Sequence, residues 1–386
     1  RRKKDTVKDI DIVVAAKKPD ALAKDLLKLP IISEVIAQGP TKISVMLNMG
    51  IQLDLRVVKP HEFYSAMQHF TGSKEHNAKL RSIALKNGYT LNEYGIFEKE
   101  SGEVFCPKSE EELYSKFGMP YIIPELREDR GEIEAALLDN LPDVVKLEDV
   151  RGDLHVHSNF SDGISSIEAI AEKAKALGYE YIAITDHSKS LRIARGLDER
   201  RLREQLEIIK DLNAKSKGIR ILTGIEVDIL TDGSLDLGDD ILKELDVVIA
   251  SVHSGFKQDQ KTLTSRIVKA CYNPYVNIIA HPTGRILNGR APYDVDMDSV
   301  LEAAAQTGTV LEINSSPDRL DLNDVYVKRA MEKGIKIAIN TDAHSSEALT
   351  DIMYGIWVAR RGWLTAENII NTFSLEKLLE FLKVMK

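Results

Sequence analysis

The chain has 386 residues, of which 43% are hydrophobic and 29% are charged, and its formal net charge is −8. This composition is typical of a soluble globular protein of two or three domains, and its acidity argues against a generally basic nucleic-acid-binding protein unless bound cations reverse the charge locally. No apolar run approaches the ~20 residues that cross a membrane, and two cysteines, Cys106 and Cys271, exclude a disulfide framework. We therefore expect a cytoplasmic protein without a membrane partner.

Residues 1–59 are predicted to form a strand, a helix and two further strands. Two of the strands correspond to "DIDIVVAA" and "QLDLRVV", and the helix to "PDALAKDLLKLP". Asp9 and Asp11 share one strand face because side-chain direction has period two, and Asp54 lies on a neighbouring strand. Three such carboxylates are what nucleotidyl transfer with two Mg²⁺ ions requires. A solvent-exposed strand remains an alternative explanation.

Residues 60–125 are predicted to form a small α+β module. The segments "HEFYSAMQHF" and "NAKLRSIALKNG" have helical spacing, and Gly88 ends the second helix. The segment "YTLNEYGIFEKESGEVFC" is typical of a hairpin that turns at Ser101 and Gly102. Residues 126–148 are charged and loosely patterned, as expected of a linker.

From residue 149 onwards, short apolar runs alternate with helical patterns. Alternation of this kind predicts βαβ units and a parallel sheet, and seven repeats predict a closed (β/α) barrel. The seven runs are "GDLHVHS", "YIAITDHS", "RILTGIEVDI", "DVVIASVHS", "VNIIAHP", "TVLEINSS" and "KIAINTDAHS".

All seven runs end in polar residues, and the carboxyl ends of barrel strands meet at one mouth. A single histidine there is equally consistent with a satisfied core residue, but burying a whole set of polar groups together without cations would cost several kcal/mol each. Mixed imidazole and carboxylate ligands suit Zn, Mn or Fe, and the number of ligands is sufficient for three ions. The nine candidate ligands are His155, His157, Asp162, His187, Glu226, His253, His281, Asp342 and His344.

Residues 150–386 resemble the PHP (polymerase and histidinol phosphatase) phosphoesterase domain through "HVHSNFSDG", "TDH", "GIEVD", "SVHS", "AHP" and "NTDAH". The resemblance implies a first ion on His155, His157, Glu226 and Asp342. Glu226 would bridge to a second ion with His253 and His281, and Asp162, His187 and His344 would hold a third. Neighbouring carboxylates would hydrogen-bond the histidine ligands and neighbouring basic residues would contact phosphates, with plain structural or surface roles as alternatives. These neighbours are Asp186, Asp228, Lys189, Arg192 and Arg285.

The first third of the chain resembles family X, β-like DNA polymerases. The thumb motif is carried by "HFTGSKEHNAKLR" and "LNEYGIF", and the end of the palm by "RRKKDTVKDIDIVV". The resemblance makes Asp9, Asp11 and Asp54 the catalytic metal-binding carboxylates, and His69 stands where the family usually has Tyr. The residues it places at the nucleotide or DNA are Arg2, Arg56, Phe70, Gly72, Lys74, Asn77 and Arg81.

We therefore predict an α/β protein with a distorted (β/α)7 PHP barrel at residues 149–386. A partial α+β palm (1–59), a thumb (60–125) and a linker (126–148) precede it. The predicted function is repair synthesis on gapped or primer-template DNA from dNTPs, with Mg²⁺ or Mn²⁺ at the aspartates. The barrel, with three Mn²⁺ or Zn²⁺ ions, would act as a 3′-5′ exonuclease.

Two alternatives remain open: a small-molecule phosphatase of the histidinol-phosphate type, and a non-catalytic DNA-gap scaffold. The order of the modules matches bacterial and archaeal family X polymerases, which carry further sequence upstream. We therefore expect an N-terminally truncated, monomeric fragment whose barrel is complete and whose polymerase activity is weak.

Overall fold

A computed structural model describes residues 1–17 and 19–384. The chain divides into two compact units, Arg1–Leu141 and Pro142–Lys386. Among the described residues, the structure contains no helix that combines the length and the apolar character needed to span a bilayer.

The first unit begins with a four-stranded mixed sheet. Its strands are β1 (Asp9–Ala15), β2 (Ile32–Gln38), β3 (Lys42–Leu47) and β4 (Gln52–Val58), and helix α1 (Pro19–Leu26) follows β1.

The strand order in this sheet is β1-β4-β3-β2, with β1 parallel to β4 and the other pairs antiparallel. The expected count of three strands is wrong by one. Strand β2 is an edge strand that is largely exposed on both faces, so its sequence lacks the alternation that marks a half-buried strand.

The rest of the first unit combines short helices with a three-stranded antiparallel sheet. The helices are α2 (Phe63–Thr71), α3 (Lys74–Lys86), α4 (Glu110–Ser115) and α5 (Glu132–Leu137). The strands are β5 (Tyr89–Asn92), β6 (Gly95–Glu98) and β7 (Val104–Phe105). Helix α3 begins at Ser73, whose hydroxyl accepts the backbone N–H of His76 at 3.2 Å.

This small sheet contains two hairpins where the sequence predicted one. The predicted turn is present, with Gly102 at φ +73°. An additional turn joins β5 to β6, where the side chain of Asn92 accepts the N–H of Tyr94 at 2.9 Å, an Asx turn. The segment predicted as a linker includes helix α5.

The second unit is a parallel seven-stranded sheet, as predicted. Its order, β14-β13-β12-β11-β10-β9-β8, follows the chain, and a parallel bridge between Val156 and Ala343 joins the two edges into a nearly closed barrel. The strands β8 to β14 are Gly152–Asp153, Tyr181–Ile184, Arg220–Asp228, Val247–Ser251, Ile278–Ile279, Val310–Asn314 and Ile337–Asn340.

Helices surround the barrel and one of them packs against its interior. Leu378 and Leu382, on the last helix, belong to the same buried cluster as Leu222 and Val247, so this helix plugs the amino-terminal end of the barrel. The helices α6 to α13 are Ile167–Ala176, Glu199–Lys215, Asp239–Leu242, Gln260–Cys271, Met297–Thr307, Asp324–Glu332, Ile352–Arg361 and Leu375–Val384.

Candidate metal centre

The alternation of side chains along the barrel strands explains how polar groups reach one place. On β11, Val247 and Ile249 face the interior cluster, whereas Val248 and Ala250 face the outer helices. Continuing the same period of two beyond the strand places His253 on the inner side. The inward-facing side chains of each strand are therefore apolar near helix α13, at the amino-terminal end, and polar at the carboxyl end.

Two other strands follow the same rule. Strand β10 presents Leu222 to the interior and then Glu226, and β14 presents Ala338 and then Asp342. Strand β8 is shorter than predicted and ends at Asp153, so His155 lies just beyond it. The polar rows nevertheless meet, because parallel strands in register end at a common edge.

Glu226 is buried at the centre of the imidazole cluster. Its Oε1 lies 3.1 Å from Nε2 of His281 and 3.3 Å from Nε2 of His253. Its Oε2 lies 2.8 Å from Nδ1 of His187. The same oxygen is 3.4 Å from Nε2 of His155 and 3.5 Å from Nε2 of His157. One carboxylate therefore contacts five of the six candidate imidazoles, all except that of His344.

Two aspartates complete the cluster. Oδ1 of Asp342 lies 3.0 Å from Nε2 of His157. Asp162 lies 3.4 Å from Nε2 of His344 and 3.6 Å from Nε2 of His187. The structure thus brings together all nine candidate ligands.

The ligand atoms of eight of the nine, all except His281, form three groups, within each of which all atoms lie within 4.8 Å of one another. In the expected assignment only Glu226 is shared between two ions. The observed groups overlap more, because His157 and His187 each belong to two of them. That assignment stays a prediction. The groups are His155, His157 and Asp342; His187, Glu226 and His253; and His157, Asp162, His187 and His344.

Several atoms aimed into this cluster lack a hydrogen-bond partner although they are buried. They include Nε2 of His155 and also Nδ1 of His187 and Oε2 of Glu226, which lie 2.8 Å apart but in a geometry that forms no hydrogen bond. An unpaired buried polar atom costs about 1–3 kcal/mol, and divalent cations would satisfy imidazole nitrogens and carboxylate oxygens together. The donor set, five imidazoles around one carboxylate, therefore fits bound divalent metal ions.

Two further carboxylates orient the imidazoles from behind. Glu312 lies 2.7 Å from Nδ1 of His155, and Asp228 lies 2.8 Å from Nδ1 of His253. Each contact fixes which nitrogen faces the centre. The predicted contact of Asp228 with a histidine is thus present, and its role in supporting a metal ligand stays a prediction.

Asp186 has a different role from the histidine partner that the sequence suggested. Its carboxylate accepts hydrogen bonds from the backbone N–H of Ser158 at 2.8 Å and of Ser161 at 3.2 Å. It also accepts one from Nε2 of Gln205 at 2.6 Å. Asp186 therefore holds the loop that follows His157 in place and contacts no imidazole.

The pKa values of the cluster reflect burial opposed by close opposite charges. Burial lowers the pKa of His253, but Glu226 and Asp228 outweigh it and raise the value to about 10. Burial raises the pKa of Asp162, but His344 and His187 bring it down to about 2. The pKa of Glu226 lies well below its usual range because the surrounding imidazoles outweigh its burial. Both carboxylates are therefore ionised at neutral pH and able to bind cations.

Sequence reasoning missed three polar residues on and after β13. Besides Glu312, the amide of Asn314 donates to Oδ2 of Asp342 at 2.9 Å, and Nε of Arg319 lies 3.6 Å from the same oxygen. These contacts leave Oδ1 of Asp342 facing the imidazoles. The available signal was a glutamate and an asparagine inside the apolar run "VLEIN".

The basic residues suggested for phosphate binding have mostly protein partners. Lys189 pairs with Glu199 at 2.6 Å, and Nε of Arg285 donates to the carbonyl of Arg319 at 2.9 Å. Arg192 is exposed on the loop after β9.

The first unit places the three candidate polymerase carboxylates on adjacent parallel strands. Asp11 is paired with Asp54 in the register of β1 and β4. Lys42 contacts Asp54 at 2.6 Å, and Arg56 lies 3.5 Å from Asp11. Burial would raise the pKa of Asp54, but hydrogen bonds led by the one from Lys42 lower it to about 2. The three side chains, Asp9 included, form none of the tight ligand groups found among the described residues.

A cavity of about 700 Å³ lies beside these strands and is lined by Arg2, Asp9, Asp11 and Phe70. Four predicted residues therefore share one cavity. Arg56 lies outside its lining, with its guanidinium 4.1 Å from the centre of the Phe70 ring.

The predicted nucleotide and DNA contacts differ in whether their side chains are free to bind a ligand. Arg2 pairs with Glu128 at 2.7 Å, and the side chain of Asn77 donates to the carbonyl of His69 at 2.7 Å. Lys74 is exposed and Arg81 half-buried. Gly72 has φ +70°, a conformation that favours glycine.

A parallel seven-stranded barrel with a histidine and carboxylate cluster at its carboxyl end defines the second unit as a metal-dependent phosphoesterase of the PHP type. Residues 153–316 match the family described as PHP domain. In the first unit, residues 66–128 match the family described as DNA polymerase beta thumb.

Comparison with curated proteins extends the similarity to nearly the whole chain. The protein is 45% identical over 385 residues to the DNA polymerase/3′-5′ exonuclease PolX of Bacillus subtilis (strain 168), covering 99% of this chain and 67% of that protein. It is 34% identical over 245 residues to a probable phosphatase of Thermoanaerobacter sp. (strain X514), covering 61% of this chain and 95% of that one.

Among solved structures, a ternary primer-template complex of Leishmania infantum polymerase beta matches 33% of this chain and 64% of that chain, at 25% identity and a TM-score of 0.29. The similarity to the Bacillus subtilis protein covers 99% of this chain, and the two family models match parts of the same region. The chain therefore belongs to the family X DNA polymerases that carry a PHP domain.

Proposed function

We propose that the barrel hydrolyses phosphodiester bonds at the 3′ end of DNA with divalent metal ions, Mn²⁺ or Zn²⁺, held around Glu226. The observation that carries this proposal is the convergence of unpartnered, buried ligand atoms on one carboxylate. The name of the Bacillus relative, which includes 3′-5′ exonuclease activity, supports it.

Each residue of the cluster has a defined task in this proposal. Bound ions would supply a water of lowered pKa and would neutralise charge during an in-line displacement at phosphorus. Glu226, Asp342 and Asp162 supply the anionic ligands, and the imidazoles complete the ligand set. Glu312 and Asp228 keep His155 and His253 in the orientation that binding needs, and Asn314 leaves one oxygen of Asp342 free for an ion.

The test is digestion of a 5′-labelled oligonucleotide in Mn²⁺ by the parent protein and by Glu226→Gln, with metal content measured in parallel. We expect the parent to shorten the strand from its 3′ end and the variant to lose at least about 100-fold in rate together with bound metal. Glu168→Gln, on an exposed face of α6, is the matched control. Undiminished digestion by Glu226→Gln would rule out the proposal.

A small-molecule phosphatase is the second candidate, and one observation favours it. The relative named as a probable phosphatase is matched over 95% of its length by 61% of this chain. Comparing kcat/KM for a phosphate monoester such as histidinol phosphate with that for an oligonucleotide decides between the two activities. A higher value for the monoester would favour the phosphatase. A barrel that retains no metal would favour a non-catalytic scaffold.

For the first unit we propose nucleotidyl transfer, with Asp9, Asp11 and Asp54 holding Mg²⁺ or Mn²⁺ and with gapped or primer-template DNA and dNTPs as substrates. The alignment of Asp11 with Asp54 and the adjoining cavity support this proposal. The ions would have to displace Lys42 and Arg56 from these carboxylates. The proposed nucleotide and DNA contacts are Arg2, Arg56, Phe70, Gly72, Lys74, Asn77 and Arg81.

Nucleotide incorporation opposite a template base tests this proposal. Asp11→Asn should abolish incorporation and leave the 3′ digestion unchanged, because the two carboxylate clusters lie in separate units. Incorporation by Asp11→Asn at the parental rate would contradict it.

We further propose a palm at residues 1–59, a thumb at 60–125, a linker at 126–148 and a monomeric chain. Light scattering tests the monomer. Limited proteolysis tests the boundaries, with first cleavage expected between residues 137 and 147, after the last residue of α5.

A further inference from the structure

Two aliphatic side chains at the mouth of the barrel are almost completely exposed. Ile164 is 81% exposed and Ile193 is 93% exposed. Among the described residues of the second unit, only Val384, in the last turn of α13, is comparably exposed among large hydrophobic residues, at 87%. Each isoleucine lies on a loop that carries a candidate ligand, Asp162 in one case and His187 in the other.

The backbone of Ile164 is fixed against the candidate metal centre. Its N–H donates to the carbonyl of His344 at 2.8 Å. The next residue, Ser165, accepts the N–H of Ser346 on its hydroxyl at 3.0 Å. The backbone that carries Ile164 is thus fixed relative to the candidate ligands Asp162 and His344, while its side chain is exposed to solvent.

The loop that carries Ile193 is fixed in a similar way. The N–H of Leu197 donates to the carbonyl of His187 at 2.7 Å, which closes the loop at the candidate ligand. The guanidinium of Arg195 donates to the carbonyl of Ser161, and that of Arg201 to the carbonyl of Phe160. These two arginines tie the loop of Ile193 to the loop of Ile164.

We infer that Ile164 and Ile193 form the seat of the terminal nucleobase of a polynucleotide whose scissile phosphate lies at the candidate metal centre; this inference rests on the proposed exonuclease function. A nucleobase is joined to its phosphate through one sugar, so it must lie within a few ångströms of the ligands, where these loops are. Aliphatic side chains contact the faces of unstacked bases in other nucleic-acid-binding proteins.

The chemistry of the two residues also indicates how the base is recognised. Isoleucine side chains donate and accept no hydrogen bonds, so they bind the face of any base without reading its edge. Two separate side chains are too small a surface for a stable protein partner, which requires a contiguous interface. Exposed Arg192, next to Ile193, matches the negative charge of a polynucleotide backbone.

A kinetic experiment tests the seat directly. The substrates are two 5′-labelled oligonucleotides that differ only in the last nucleotide, which either carries a base or is an abasic tetrahydrofuran. For the parent protein we expect kcat/KM to be about tenfold higher with the base, the size of one base contact. In the double variant Ile164→Ala/Ile193→Ala that ratio should fall towards one, with the abasic substrate cleaved at the parental rate.

Leu177→Ala is the matched control, because Leu177 is 40% exposed and lies between the end of α6 and the start of β9, at the opposite end of that strand from His187. It should leave the ratio unchanged. A parental ratio near one would overturn the inference, as would an unchanged ratio in the double variant. An equal loss on both substrates would also overturn it, because the isoleucines would then support the centre only.

Photo-crosslinking separates this inference from the proposed function. The probe is an oligonucleotide ending in 4-thiothymidine joined by a phosphorothioate, which resists hydrolysis. We expect crosslinks in peptides that contain Ile164 or Ile193, and crosslinks confined to other peptides would overturn the seat. Crosslinks at these loops without any cleavage of normal DNA would refute the exonuclease alone, whereas cleavage without preference for a terminal base would refute the seat alone.

Discussion

Glu312 engages both of its carboxylate oxygens beneath the candidate metal centre. Oε1 contacts His155 and accepts the amide of Asn340 at 2.9 Å. Oε2 accepts the backbone N–H of His281 at 2.8 Å. A glutamine at this position would direct an N–H₂ group at one of these donors. Glu312 therefore needs to be a carboxylate, and it links two candidate ligands through side-chain and backbone contacts.

We expect Glu312→Gln to lower metal affinity about 10- to 100-fold, because the orientation of His155 is no longer fixed. The measurement is a Mn²⁺ titration by calorimetry after complete removal of metal. Glu168→Gln, on the exposed face of α6, should bind as the parent does. Parental affinity in Glu312→Gln would show that His155 is oriented by something else.

His76 forms a second buried network, in the first unit. Its Nδ1 lies 2.7 Å from Glu132 and its Nε2 lies 2.8 Å from the hydroxyl of Tyr114. Burial lowers the pKa of His76, although Glu132 opposes this effect. Burial raises the pKa of Glu132, but the hydrogen bond with His76 outweighs it and lowers the pKa overall. A neutral ring that donates to Glu132 and accepts from Tyr114 satisfies all three groups.

Both shifts make the first unit less stable in acid. The unfolded chain takes up protons on His76 below its ordinary pKa of about 6.5 and on Glu132 below about 4.5, whereas the folded unit resists both. The contribution of these two groups to the stability of the first unit is therefore fully present above pH ~7 and decreases as the pH falls from 7 towards 4.

We expect calorimetric midpoints of the first unit to show this decrease and His76→Gln to flatten it between pH 7 and 5. His61→Gln, at an exposed histidine of the same unit, is the control. An equally steep decrease in His76→Gln would assign the acid sensitivity to other groups.

At the scale of elements, the barrel could be predicted because its strands are buried on both faces. Runs such as "DVVIASVHS" are continuous in apolar residues up to the point where the strand ends, and their polar ends lie at one mouth by the rule for parallel barrels. The positions of Glu226 and His253 therefore followed from pattern alone. The exposed edge strand β2 and the turn at Asn92 lacked such a pattern.

The support for the ligands was harder to predict than the ligands themselves. Glu312 meets His155 across an interval of 157 residues, and Asn314 meets Asp342 across 28. Such pairs depend on the register between strands, which hydrophobic periodicity in one strand does not reveal. The sequence shows a buried carboxylate in β13, but only the folded sheet shows which imidazole it contacts.

Gly224 shows how closely strand β10 approaches its neighbours. A Cβ at this position would lie 2.7 Å from Cγ2 of Thr185 and 2.9 Å from the carbonyl of Val247. We expect Gly224→Ala to lower the free energy of unfolding by about 1–3 kcal/mol, because β9 and β11 must move apart. It should also weaken metal binding, since Glu226 lies two residues further along the strand.

Gly238→Ala is the control for Gly224→Ala, because its new methyl group would meet only the mobile end of the Asp240 side chain. Its effect should stay within about 0.5 kcal/mol. Urea unfolding followed by tryptophan emission measures both variants, and equal stabilities for the two would contradict the packing argument.

At the scale of the whole molecule, the two units hold their charged groups in different ways. In the first unit, Lys42 and Arg56 already pair with two of the candidate carboxylates, Asp54 and Asp11. In the second unit, no lysine or arginine pairs with Glu226 among the described contacts, and several buried atoms of the imidazole cluster form no hydrogen bond. Binding of ions therefore contributes more to the stability of the barrel than to that of the first unit.

We expect a chelator to lower the unfolding temperature of the second unit. Ions at 100 times their dissociation constant stabilise by about 2.7 kcal/mol, which corresponds to roughly 5–10 °C for a unit of this size. Trp357 and Trp363 both lie in the second unit, so the temperature dependence of their emission reports on the barrel alone. The unfolding temperature of Glu226→Gln should change little with the chelator, because this variant has lost the central ligand. If the chelator leaves the unfolding temperature of the parent protein unchanged, bound ions do not stabilise the mouth of the barrel.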